Sequence, residues 1–305
     1  MRLAPIVLFV FNRPEHTRKT VEALSKNVLA KESELYVYSD SYRNSEEKDL
    51  VSKVRNYIKT IKGFKKVHII EREKNYGLAK SVICGVSDVL KKSSRVIVLE
   101  DDLITSSFFL QYMNELLEKY ENEKKVYSIT GFGYNTDIMQ IPPDYPYDIY
   151  FSPRAASWSW ATWSDRWKSV DWEVSDYENF KKDRKKNEEF KKSGEDVTIM
   201  LEKQMQGLID SWAIRWAYHH YKMGAYCIYP VKSYINNIGF DGSGVHCGTS
   251  ERFNNHILNI SLNISIPEVV ELDPVIMKNF QKIFKRNLFK KLYFDFLLKH
   301  VKKFF

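Results

Sequence analysis

The chain has few cysteines and lacks a long apolar run. Its three cysteines, Cys84, Cys227 and Cys247, include no C-x-x-C pair, which argues against a disulfide framework or a zinc knuckle and fits a reducing cytosol. The apolar segment 4–11 is too short for a signal sequence or a membrane span, and no other stretch of spanning length is free of charges. The 305 residues allow one large domain or two small ones with a sizeable core.

Two glycine-rich phosphate-binding motifs are also missing. The sequence contains neither G-x-G-x-x-G nor a G-K-[ST] loop, so neither a dinucleotide-binding fold nor a P-loop is supported. It also lacks internal repeats and low-complexity linkers. We therefore expect its second half to pack onto the same sheet as its first half.

The basic charge is concentrated at the C-terminal end. Residues 278–305 carry nine Lys or Arg and one acid, whereas the remaining residues carry 38 of each sign, so the net charge of +8 belongs to this tail. The neutral body and the absence of a binding motif argue against nucleic acid as a partner.

Apolar residues recur every four positions in the tail and predict an amphipathic helix over 273–305 that lies on an anionic membrane surface. The alternative is a helix that packs on the body or on a partner subunit. The recurring residues are Phe280, Phe284, Leu288, Leu292 and Phe296.

Strand and helix patterns alternate through the first half, residues 1–131, which predicts a mostly parallel α/β sheet with right-handed crossovers. Predicted strands cover 4–11, 34–39, 67–71, 96–99 and 126–130, and predicted helices cover 14–24, 46–61, 78–90 and 106–120.

The second half, residues 132–272, is richer in loops, prolines and tryptophans. We expect helices within 176–206 and over 209–221, and a short strand within 230–245. Aromatic residues make up 14% of the chain. Aromatic side chains beyond the needs of a core often contact sugars or bases, although an aromatic core is the simpler explanation.

Three consecutive acids, Glu100, Asp101 and Asp102, follow the predicted strand 96–99. Open α/β sheets bind ligands beyond the carboxyl ends of their strands, and clustered carboxylates attract a hard divalent metal or a basic partner. A solvated acidic turn before a helix is the alternative.

Charged residues stand at two other strand ends. Arg13 follows the first strand and can complement a phosphate, while Asp40 ends the second and can accept from a base or a ribose hydroxyl. The segment 75–80 opens a helix, and Lys80 within it can reach phosphate or the acids. Singly, each could be a helix cap or a surface ion pair.

The histidines differ in what they predict. His246 could donate to phosphate or ligate a metal, with a hydrogen-bonded loop histidine as the alternative. His219 and His220 lack a spaced partner on their aromatic helix, and we interpret them as structural. Cys247 beside His246 is not a credible nucleophile pair.

These motifs together resemble nucleotide-sugar glycosyltransferases of the GT-A fold. The resemblance is to the N-acetylglucosaminyltransferases that initiate complex N-glycans and to bacterial surface-polysaccharide transferases. It implies that Asp102 binds Mn²⁺ (or Mg²⁺), that Asp101 contacts the ribose and that Glu100 contacts the donor sugar. It also implies that Arg13 and Asp40 hold the uridine and phosphate end.

The resemblance extends to about residue 253. The segment 158–163 matches the family's aromatic donor-sugar segment, which implies donor contacts for Trp158 and Trp160, and we add Arg154 to these. Asp210-Ser211-Trp212 resembles the family's Asp-Asp-Trp, whose first acid is the catalytic base; the serine is a departure that puts the acceptor geometry in doubt.

The expected activity is inverting, metal-dependent transfer from a UDP-sugar, with UDP-GlcNAc a candidate, to a lipid-linked saccharide in bacterial surface-polysaccharide synthesis. The protein would be cytoplasmic and bound to the inner face of the membrane through its tail. Two alternatives stay open, a sugar-nucleotide pyrophosphorylase and a non-catalytic glycan-binding module. The first should carry a Gly-rich basic loop after its first strand, which residues 11–14 do not provide.

Overall fold

The computed structural model describes residues 2–242, 258–261 and 263–285. Its first half alternates strands and helices as expected. The second helix is shorter than predicted, and a short additional strand precedes the fourth helix. In chain order the elements are β1 (Ile6–Val10), α1 (Pro14–Ser25), β2 (Glu34–Ser39), α2 (Lys48–Ile58), β3 (Lys66–Glu71), α3 (Leu78–Leu90), β4 (Arg95–Glu100), β5 (Leu103–Thr105), α4 (Phe109–Lys119) and β6 (Val126–Thr130).

The second half contributes strands to the same sheet and covers it with short helices. The predicted helical region 176–206 forms three helices, because Asp183 and Gly194 interrupt it. The elements are β7 (Ile149–Ser152), β8 (Trp160–Trp163), α5 (Ser164–Lys168), α6 (Tyr177–Lys182), α7 (Arg184–Phe190), α8 (Val197–Met205), α9 (Trp212–Lys222), β9 (Tyr226–Pro230), β10 (Ile235–Asn237) and α10 (Pro274–Ile283).

One large sheet organises the molecule, with strand order β3-β2-β1-β4-β8-β6-β9-β7. Strands β3, β2, β1, β4, β6 and β9 run in one direction, whereas β8 and β7 run antiparallel to their neighbours. The carboxyl ends of β1, β2 and β4 therefore lie side by side at one edge. A second sheet pairs β5 with β10, so that Leu103 faces Asn237.

Both faces of the central strands are buried, as their apolar composition predicts. In β1, Ile6 and Leu8 pack against α1, α2 and α4, while Val7 and Phe9 pack against α3 and α9. All five residues of β1 are buried. A strand buried on both faces is held rigidly, which fixes the backbone at its end.

Most of the aromatic excess forms part of this core. On the α3 side, the Trp160 ring lies 4.9 Å from the Trp212 ring and 5.2 Å from the Trp167 ring. Trp160 is 1% exposed and forms part of the core, and its predicted contact with a donor stays a prediction.

The start of the tail also packs on the body. Phe280 of α10 is buried against Tyr150 and Tyr229, and Phe284 contacts Tyr134, so the first two members of the apolar stripe face protein rather than a membrane. The stripe beyond residue 285 lies outside the described residues. Across 2–242, 258–261 and 263–285, no helix has the length and apolar character needed to cross a bilayer.

Replacing Phe280 with Ala tests this packing. We expect a loss of about 3–5 kcal/mol in the free energy of unfolding, because the change leaves a cavity beneath α10. Val275 on the same helix is 52% exposed, and Val275→Ala is the matched control with little expected change. Denaturant titration of both variants measures the difference, and equal stabilities would contradict docking of α10 on the body.

Candidate active site

The carboxyl edge brings together the charged residues at three strand ends. In the register of β1 and β4, Phe9 pairs with Glu100, so Arg13, which precedes α1, comes close to the acid triplet. The Arg13 guanidinium hydrogen-bonds to the Asp101 carboxylate and lies 3.0 Å from Asp102 Oδ2. One guanidinium thus bridges two neighbouring carboxylates.

The backbone of the triplet is held from two sides. The Thr20 hydroxyl donates to the Asp101 carbonyl at 2.8 Å, and the Ile238 N–H donates to the Asp102 carbonyl at 2.9 Å. Gly239 then passes so close that a Cβ there would stand 2.1 Å from Asp102 Oδ2. A side chain at position 239 would displace the Asp102 carboxylate.

Burial and the neighbouring carboxylates disfavour ionisation of Glu100 and Asp101. Burial, followed by the charges of Asp102 and Asp101, raises the pKa of Glu100 to about 8. Burial also raises the pKa of Asp101 to about 6, although the Arg13 charge opposes that rise. The carboxylates of Asp101 and Asp102 outweigh the effect of burial on Arg13 and hold its pKa above the usual value.

Oxygen donors at this edge fit a divalent cation that shares its ligands with a phosphate substrate. Mg²⁺ and similar ions are usually held by one or two carboxylates together with substrate phosphates and water. No group of three or more His, Cys, Asp or Glu in the described part of the chain is arranged to hold a metal alone. A cation already lies between Asp101 and Asp102, namely Arg13, which shows that the position attracts positive charge.

Asp40 acts on the site through a loop. Its carboxylate accepts from the backbone N–H groups of Tyr76 at 2.9 Å and Gly77 at 3.1 Å, and it is only 7% exposed. Asp40 thus fixes the segment 75–79, and its contact with the nucleotide stays a prediction. Next to it, the exposed Lys80 lies over the Tyr76 ring, with Nζ 4.9 Å from the centroid.

Asp210, which lies just before α9, reaches the same segment. Its Oδ2 accepts from the Ala79 N–H at 3.3 Å, and it would lie 3.3 Å from a Cβ on Gly77, whose φ is +74°. The side chain is 58% exposed, and Arg215 Nη2 lies 3.7 Å from Oδ1. Asp210 is thus a fixed but accessible carboxylate.

Ser211, the departure from the family's second acid, has a structural role. It caps α9, with its hydroxyl oxygen accepting from the Ile214 N–H. The next residue, Trp212, is buried against Trp160. The segment therefore pairs an exposed acid with an anchoring tryptophan.

An aromatic cavity of about 260 Å³ lies between the β7–β8 connection, α8, α9 and Phe284. Trp158 lines it and packs edge-on against Phe132 and Phe240. Arg154 lines it as well, with both its terminal nitrogens bound to Asp196 at 2.8 Å, and its predicted contact with the donor stays a prediction.

Comparison with known families agrees with this geometry. The sequence model of glycosyl transferase family 2 matches residues 6–188, which is more than half of the chain and includes β1 to β8. The chain belongs to glycosyl transferase family 2. Its α/β fold, with a mostly parallel central sheet flanked by helices, is of the GT-A type. The specific resemblance to N-acetylglucosaminyltransferases is not confirmed.

Solved structures of several transferases are similar to this family 2 chain. A mannosyltransferase from Pyrobaculum calidifontis, solved with GDP-Man and Mn²⁺, is 11% identical over 52% of this chain and 44% of its own, with a TM-score of 0.38. TarS (residues 1–349) from S. aureus is 13% identical over 53% and 47%, with a TM-score of 0.36. This chain thus spans less than half the length of either. A search of curated protein sequences found no match.

The sequence of this family 2 chain predicts several contacts at the site only weakly or not at all. Thr20 is an ordinary helix residue, and the pairing of β5 with β10 joins three-residue strands about 130 positions apart. Gly239 begins a segment with loop composition, and only its approach to Asp102 explains why glycine stands there.

The buried histidines are structural, as predicted. His220 lies 2.9 Å from the Ser128 hydroxyl and 3.0 Å from the Trp216 carbonyl, and His219 lies 2.9 Å from the Ser169 hydroxyl. Burial lowers the pKa of His219 to about 4 and that of His220 to about 3. His246 and Cys247, for which site roles were considered, lie outside the described residues.

These pKa values predict a loss of stability in mild acid. Above about pH 6.5 the histidines are neutral in both states; below it the unfolded chain binds protons that the folded chain excludes. Each histidine then contributes a fall of about 1.4 kcal/mol per pH unit until the pH reaches its folded pKa. Unfolding of wild type and His219→Gln between pH 7 and 4 measures this slope, which should be smaller in the variant. Identical slopes would contradict the assignment.

Proposed function

We propose that this family 2 glycosyltransferase is an inverting, metal-dependent enzyme that moves a sugar from a UDP-sugar to a saccharide acceptor. The observation that carries the proposal is that one segment, residues 75–79, connects the acid triplet's edge of the sheet with Asp210. The triplet and Arg13 lie at the carboxyl edge, and the accessible Asp210 contacts the segment 75–79, which Asp40 fastens to the same edge.

On the donor side, the residues of the edge would divide the work. Asp102 would hold a divalent cation, with Mn²⁺ or Mg²⁺ as candidates, and a cation there supplies positive charge to the leaving diphosphate. Asp101 and Glu100 would face the ribose and the sugar. Arg13 is close enough to contribute a second positive charge to the phosphates.

On the acceptor side, Asp210 would take the proton from the attacking hydroxyl. Its exposure and its ordered position on the Ala79 N–H suit a general base. Attack from the face opposite the departing phosphate inverts the anomeric centre, so an α-linked donor gives a β-linked product. Trp158 and the aromatic cavity support sugar binding near this point, because aromatic faces pack well on pyranose rings.

The identity of the substrates forms the finer part of the proposal. UDP-GlcNAc is the candidate donor and a lipid-linked saccharide of a bacterial surface polysaccharide the candidate acceptor. The basic tail supports a location at the inner face of a membrane, because lysine-rich apolar segments bind anionic lipid. Family membership favours this function over a pyrophosphorylase or a non-catalytic glycan-binding module.

Asp210→Asn tests the general base. We expect turnover to fall by about 100- to 10,000-fold, because the amide cannot accept the acceptor's proton. Donor affinity in the presence of Mn²⁺, measured by calorimetry, should change little because Asp210 does not hold the donor. Asp88→Asn is the matched control, since Asp88 is an exposed carboxylate on α3 that pairs with Lys91. Wild-type turnover in Asp210→Asn would remove it as the base.

The tail is tested by sedimentation with liposomes. A chain that ends at Lys285 keeps α10 and its contacts with the body, whereas an earlier end would expose Tyr150 and Tyr229. We expect the full chain to sediment with vesicles that contain anionic lipid and the shortened chain to stay in solution. Equal sedimentation of the two chains would reject membrane binding by residues 286–305.

A further inference from the structure

The ion pairs of Asp101 and Asp102 within the described residues are both made with Arg13. The guanidinium and the two carboxylates are largely shielded, with side-chain exposures of 17%, 6% and 12%. The pairs are therefore stronger than surface ion pairs, and a divalent cation that approached Asp102 would meet a positive charge already in place.

Main-chain contacts fix the backbone of the carboxylates, whereas the guanidinium stands at the end of a long side chain. The main chain of Asp101 and Asp102 is held by Thr20 and Ile238, and Gly239 closes against the Asp102 carboxylate. The backbone of Arg13 is fixed as well, since its carbonyl accepts from Thr17. Its long side chain, however, can swing without disturbing α1.

Charge counting favours an exchange over simple addition. The two carboxylates that Arg13 contacts, Asp101 and Asp102, carry two negative charges when ionised, which one divalent cation would balance without the guanidinium. Yet a divalent cation and a guanidinium cannot both lie between Asp101 and Asp102, because their repulsion at a few ångströms is large in a shielded site. The guanidinium must move when the cation binds, and a diphosphate is an anion that it can meet.

We propose that Arg13 is a positioning residue that occupies the cation position in the donor-free protein and moves to the donor's diphosphate when a divalent cation replaces it. The inference rests on the proposed use of a cation and a nucleotide diphosphate at this edge. Metal alone binds weakly, because it must displace Arg13 with no new partner for the guanidinium. Metal and donor together bind tightly, because the diphosphate accepts Arg13 and ligates the cation. The exchange makes metal and donor binding cooperative.

Titration with Mn²⁺ in the absence of donor tests the exchange. Free Mn²⁺ is followed by electron paramagnetic resonance for the wild type, Arg13→Met and Arg18→Met. We expect Arg13→Met to bind Mn²⁺ about tenfold more tightly than wild type, because the competing charge is gone. Arg18→Met is the matched control on the same helix, since Arg18 pairs with Glu15 and Glu22 on the surface, and it should bind like wild type.

Arg13→Met should show the opposite change in its affinity for the donor. With Mn²⁺ present, calorimetry should give Arg13→Met about tenfold weaker binding of UDP, because the diphosphate has lost a cationic partner. Opposite changes are not expected from a merely structural arginine, whose loss would weaken both. Mn²⁺ affinity in Arg13→Met that equals or falls below that of wild type would overturn the exchange.

Two further variants locate the effect and guard against misfolding. Adding Asp102→Asn to Arg13→Met should abolish the gain in Mn²⁺ affinity, whereas retention of the gain would place the cation elsewhere and overturn the proposal. Arg13→Lys keeps the charge and should bind Mn²⁺ like wild type, while a gain like that of Arg13→Met would also overturn it. None of these titrations requires sugar transfer. The exchange can therefore stand if the proposed transfer fails, and the reverse holds too.

Discussion

Repulsion among three consecutive carboxylates is the constraint around which the site is built. A strand buried on both faces cannot turn its end toward solvent, so Glu100, Asp101 and Asp102 stay together at the sheet edge. Arg13 offsets part of the repulsion, while burial, together with the neighbouring carboxylates, still raises the pKa values of Glu100 and Asp101. Such an edge is favourable only in the presence of a cation, which is why a metal-dependent diphosphate chemistry suits this position.

The aromatic residues serve two separate purposes. Trp160, Trp167, Trp212 and Trp216 cluster beneath the sheet and hold α9 against α3, so they position Asp210 from behind. Trp158 lies in a different environment, on the wall of the cavity. Ser159 between the two tryptophans has a φ of +44°, and this turn sends the neighbouring indoles to opposite surroundings.

That turn also marks a limit of what the sequence could predict. The strands ending at Asp40 and at the triplet follow from local patterns, and Gly77 marks the start of α3, so their elements were predicted closely. A serine with positive φ has no signature in the local sequence, so the sequence predicts one role for both Trp158 and Trp160. The tail stripe has the same ambiguity: a four-residue period predicts an apolar face but not whether protein or lipid covers it, and α10 turned out to cover the body with Phe280.

The link between Asp40 and Asp210 shows how a distant residue becomes part of the site. Asp40 follows β2 in the first half of the chain, and Asp210 precedes α9 in the second half, yet both accept from backbone N–H groups of residues 76–79, where a loop leads into α3. A shift of that loop would move the carboxylate of Asp210 relative to the triplet. In the proposed reaction, proton removal and departure of the diphosphate occur on opposite faces of one sugar, so the loop would set the distance between the two events. The precision of the proposed reaction would then depend on main-chain hydrogen bonds that touch neither substrate.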